Sequence, residues 1–125
     1  MHVFSPERAN ALIPVLTPLI EQLWEKRRDL AIRLLESDPA LHTAPSAIPR
    51  RAARTFTDLK AEVVQLINRI EAYGCVVKDI DLGLLDFPSI RDGRPIYLCW
   101  KAGEVELTHW HGTDESFHQR KPITP

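Results

Sequence analysis

Cysteine is scarce: the chain has two, Cys75 and Cys99, and neither lies in a CxxC pair, so it contains no redox motif and no zinc-knuckle spacing. Reduced thiols are the expectation, with Cys75 a small buried hydrophobe. No apolar stretch approaches the roughly 18 to 20 residues that span a bilayer, and the opening MHVFSPER has neither the charged nor the apolar region of a signal peptide. A cytoplasmic protein with no membrane association is expected. Charge of one sign is also missing, because 16 Lys and Arg stand against 17 Asp and Glu for a net charge of −1. That balance removes the electrostatic case for a general nucleic-acid binder. Glycine-rich phosphate loops, GxSxG and HExxH are all absent, which weakens nucleotide hydrolysis, serine-esterase and zinc-protease chemistry in turn.

What is present fits one domain. The 125 residues are 44% hydrophobic and 26% charged, enough apolar material for a packed core. Ser5-Pro6-Glu7 is a compact helix start, with a capping hydroxyl, a proline suited to the first helical position and an acid placed well against the dipole. A heptad-like seam follows at Leu12, Leu16, Leu19, Leu23, Leu30 and Leu34, interrupted at Arg27. Pro14 and Pro18 predict a kink or a broken first segment between Ala11 and Pro18. Residues Ser37 to Pro49 read as a loop. A second helix is predicted from Arg50 to Tyr73, on Phe56, Leu59, Val63, Leu66, Ile70 and Tyr73, with Gly74 as its stop.

Beyond Gly74 the pattern changes to strand-like runs at Cys75 to Val77, Leu84 to Phe87, Ile96 to Trp100 and Val105 to Trp110, with turns at Asp92-Gly93 and Ala102-Gly103. The predicted fold class is α+β. An antiparallel hairpin of two long helices (1–74) packs with a C-terminal antiparallel meander of three or four strands (75–125). The seams also predict self-association, with a dimer as the expected partner state and Trp24 and Leu34-Leu35 as candidate contacts. Arg50, Arg51, Arg54 and Lys60 read as a solvated helix face rather than a phosphate contact.

Candidate chemistry is confined to the later half, where Asp79, Asp81, Asp86, Glu104, His109, His111 and Asp114 interleave with strand formers. Residues two apart in a strand share a face, so His109 and His111 can address one ion, as can Asp79 and Asp81. Each taken alone also reads as an ordinary solvated residue. Asp86 differs, because its apolar run Gly83 to Pro88 forces an ionised carboxylate to find a partner. A two-residue turn at Ala102-Gly103 would pair Leu98 with Leu107 and turn Cys99 away from His109 and His111, whereas a slip or bulge would reverse that.

The tail GCVVKD, GLLDFP, Leu98-Cys99-Trp100, Gly103-Glu104 and Trp110-His111, together with Phe4-Ser5-Pro6-Glu7, Asn10 and Pro14, resembles the uncharacterised prokaryotic family catalogued as domain of unknown function 2203. The resemblance spans nearly all the chain outside Ser37 to Pro49. It implies a shared fold and a shared polar pattern at Glu7, Asp86, Cys99, Glu104, His111 and Arg120, and supplies no reaction; His109 departs from a position where the family pattern is often aromatic. The expectation is a carboxylate and histidine site at the helix–sheet junction holding zinc, iron or manganese. Glu7, Asp86, Glu104 and His111 are its ligands, with Cys99 and His109 behind them.

Overall fold

The computed structural model describes residues 3–37 and 55–124. Helix α1 runs over Pro6–Ser37 and α2 over Phe56–Glu71; strands β1 to β5 follow at Val76–Asp79, Leu84–Arg91, Arg94–Lys101, His109–Gly112 and Lys121–Pro122. The strands form one antiparallel sheet in the order β1-β2-β3-β4-β5, so the chain is an α+β fold with a helical hairpin and a C-terminal meander. The sheet has one strand more than the three or four expected.

The apolar seam of α1 does what its spacing requires. Of the expected seam, Leu16, Leu19 and Leu23 are buried and Leu12 and Leu30 half-buried, whereas Leu34 is exposed; with Ala9, Ile13 and Ile20 the buried ones meet Leu66 and Ile70 of α2 and Leu85, Phe87, Leu98 and Trp100 of the sheet. Helix α1 is continuous through Pro14 and Pro18, which corrects the expectation of a broken first segment. Both prolines are exposed and four residues apart. The carbonyls they leave without a donor therefore share a solvent-facing stripe, where water satisfies them. Helix α2 begins after Thr55, whose hydroxyl accepts the N–H of Asp58 at 3.1 Å. Ser37, the first residue of the expected loop, closes α1; the rest of that loop, and Arg50, Arg51 and Arg54, lie outside the described residues.

Asp92-Gly93 makes the expected two-residue hairpin turn, with φ of 51° and 77°, and pairs Arg91 with Arg94. The run from Val105 to Trp110 is corrected. Val105 is 90% exposed, β4 starts only at His109, and the Ala102-Gly103 turn closes no two-residue hairpin. Asn10 of α1 explains the difference: its side-chain oxygen accepts the N–H of Leu107 at 2.7 Å and its amide donates to the Leu107 carbonyl at 3.4 Å. A helix side chain thus takes the place of a neighbouring strand and draws Leu107 into the core.

Candidate metal centre

Strand alternation gives the sheet two faces of opposite character. Leu85, Phe87, Leu98 and Trp100 point at the helices, and the intervening positions turn the other way. Asp86 pairs with Cys99 across β2 and β3, and Cys99 pairs with His109 across β3 and β4. This register puts Asp86, Cys99, His109 and His111 on the face away from the helices. It is the slipped alternative, so Cys99 joins the histidines instead of opposing them.

On that face Asp86, Cys99 and His111 are buried, and one ligand atom from each lies within 4.8 Å of the others. His111 Nε2 faces both Asp86 carboxylate oxygens at 3.0 and 3.1 Å, while Nδ1 sits 2.8 Å from the Gly112 carbonyl. A carbonyl only accepts, so Nδ1 carries the ring proton and Nε2 is the atom directed at the carboxylate. Two acceptors cannot face each other at this distance, so a proton or a metal ion lies between the two groups. Burial pushes the Asp86 carboxyl above its usual range, against the pull of the His111 hydrogen bond and charge, Lys78 and the Cys99 thiol. Burial also pushes the Cys99 thiol up to about 12, assisted by the Asp86 and Glu104 charges and opposed by Arg120.

A cysteine-nucleophile triad does not fit. Neither ring nitrogen of His111 is left to take the Cys99 proton, and a thiol at about 12 has almost no thiolate at neutral pH. The arrangement instead matches the support given to metal-binding histidines, in which the nitrogen away from the ion is fixed by a backbone carbonyl.

Further groups close the cluster. Glu104 accepts the Lys101 N–H at 2.7 Å and pairs with Arg120 at 2.9 Å, and the Arg120 guanidinium lies 4.2 Å over the Phe117 ring. A cavity of about 340 Å³ opens beside the trio, lined also by Lys78, Ser116, Phe117 and His118. The structure therefore links Asp86, Cys99, His111, Arg120 and Glu104 in one polar chain, in which Glu104 reaches the trio through Arg120. Glu7 is exposed in the first turn of α1 and outside the cluster. His109 shares the face but bonds Thr108 at 2.9 Å. The cluster accordingly lies on the far side of the sheet and not at the expected helix–sheet junction, because the even alternation from Phe87 to Asp86 reverses the side-chain direction.

Other acids have local roles. Asp79 accepts the Leu82 N–H at 3.0 Å and Asp81 pairs with Arg27 at 2.7 Å, as solvated residues around a turn. Tyr97 pairs with His111 across β3 and β4, its ring 5.7 Å from the imidazole and 5.4 Å from the Lys78 ammonium; its place two residues before Cys99 on the same strand face is the sequence signal for it, and Phe117 and Lys78 carry none.

A family model described as "Uncharacterized conserved protein (DUF2203)" matches residues 2–123. No curated protein and no solved structure gives a match to this chain.

Proposed function

We propose a zinc-holding role for this chain, which belongs to the DUF2203 family of uncharacterized conserved proteins. Asp86, Cys99 and His111 are the donors. The observation that carries the reading is the buried convergence of an imidazole nitrogen, a carboxylate and a sulfur within 4.8 Å of one another, a set in which a metal ion can replace the proton shared by Asp86 and His111. One sulfur, one imidazole nitrogen and one carboxylate oxygen suit zinc better than manganese, and iron is the nearest competitor. Arg120 lowers part of the cost of forming the Cys99 thiolate, which burial and the Asp86 charge otherwise raise.

Three protein donors beside an open cavity match the count of a catalytic rather than a structural zinc centre. In this reading Asp86, Cys99 and His111 would hold the ion, the ion would supply Lewis-acid chemistry at the cavity, and Glu104 would act through Arg120 rather than as a ligand. Glu7 is left out of the ligand set because it is exposed and apart from the trio. No helix among the described residues is long and apolar enough to cross a membrane, and both cysteines are free, which supports a reducing, cytoplasmic setting. Elemental analysis of protein purified without chelator tests the proposal. The expected result is one zinc per chain, lost in both Asp86→Asn and Cys99→Ser and kept in Glu7→Gln; a metal-free protein that gains no thermal stability from added zinc overturns it.

A second reading, self-association, is supported by Ile32 and Leu35, which are 47% and 59% exposed toward the end of α1. Light scattering that finds only monomer at high micromolar concentration removes it.

A further inference from the structure

We propose that the cleft at the tip of the β2–β3 hairpin binds a small ligand that joins a phosphate or carboxylate to an apolar group. The cleft is distinct from the Asp86 cluster and the inference does not depend on zinc. Arg91 and Arg94 face each other directly across the ladder, on one face, either side of the Asp92-Gly93 turn. Like charges in that position destabilise a sheet unless an anion lies between them. No acid is paired with either guanidinium among the described residues; Arg91 lies 5.0 Å over the Trp110 ring and donates to the Ile123 carbonyl at 3.4 Å, and Arg94 is exposed.

The two guanidinium groups stand at a cavity of about 690 Å³ whose apolar lining comes from Pro95, Ile96 and Trp110. Trp110 Nε1 is shielded from solvent and has no hydrogen-bond partner among the described residues, so an acceptor that displaces its cover satisfies a donor otherwise left bare. Lys121 also lines the cleft, but it is committed to Glu115, with Nζ at 2.6 and 2.9 Å from the two carboxylate oxygens. Arg94 is therefore the uncommitted cation, and Arg91, stacked on Trp110 with one N–H given to the Ile123 carbonyl, keeps its other donors for an anion beside it. Asp92 and Asp114 line the same cleft, so its acids balance its bases and a polyanion such as nucleic acid gains no long-range attraction. A compact oxyanion gripped by two planar donors, with its apolar part against the indole, uses what the cleft offers.

The test follows the indole N–H resonance of Trp110 in ¹⁵N-labelled protein, assigned by its loss in Trp110→Phe, while phenyl phosphate is added at constant ionic strength. The expected result is a saturable shift with phenyl phosphate, a weaker one with inorganic phosphate and none with phenol. Arg94→Gln, at an exposed position, should weaken phenyl phosphate binding about tenfold or more while the circular dichroism spectrum stays unchanged. The absence of a saturable shift, an equal response to phenol, or unchanged binding in Arg94→Gln overturns the proposal.

Discussion

The two faces of the sheet are built from the same strands and serve opposite purposes. Phe87 and Asp86 are adjacent in sequence and equally shielded from water, yet one meets the helices and the other meets His111. The apolar face is tolerant of chemistry and intolerant of lost volume, because its value lies in close packing. For the polar face the reverse holds: its groups are few, and each costs free energy unless its partner is present. A substitution therefore reports on a different property depending on which of two neighbours it strikes.

The largest expected effect is on the apolar side. Phe87→Ala should lower the free energy of unfolding by about 3 to 5 kcal/mol in a urea titration, while zinc per folded molecule stays constant. A simultaneous loss of zinc would break the separation between the faces. The next effect is on the polar side, where Asp86→Ala leaves a buried imidazole nitrogen without its partner. It should cost about 1 to 3 kcal/mol and abolish zinc uptake, with the helical circular dichroism intact.

The smallest effects are pH slopes, which sharpen the comparison by their sign. In metal-free protein Asp86 holds its proton more tightly folded than unfolded. Its contribution to stability is therefore fully present below the ordinary carboxylate value and is lost as pH rises through the raised folded value. Glu115, held below its ordinary value by the hydrogen bond from Lys121 and then by the Gly112 N–H, does the opposite: its contribution is present above the unfolded value and is lost as pH falls through the folded one. Urea midpoints across pH should show Asp86→Asn removing a downward slope and Glu115→Gln removing an upward one.

How far the sequence led differs between elements for physical reasons. The seam from Leu16 to Leu23 and the Asp92-Gly93 turn were legible because each is fixed by its own neighbours, through helical period and backbone preference. Asp86 and His111 were legible as candidates because a carboxylate in an apolar run needs a partner. The side on which Cys99 falls was not, since it depends on the register across residues 102–108, and that register is fixed by Asn10 from the far end of the chain. Val105 to Trp110 has strand-forming residues throughout, but the Asn10 amide outcompetes local propensity at Leu107. Glu7 stayed apart because nearness of the helix start to the sheet does not determine which side of the sheet it approaches.

The Asn10 to Leu107 clasp also sets the order in which the molecule can be completed during synthesis. Its partners are 97 residues apart, so on the ribosome the first helix waits roughly 5 to 20 s before the segment that seals it emerges. Through that interval its greasy stripe can lean on the second helix and then on β2 and β3, but the end at Asn10 stays unclasped, and slowing translation past Trp100 prolongs that open state.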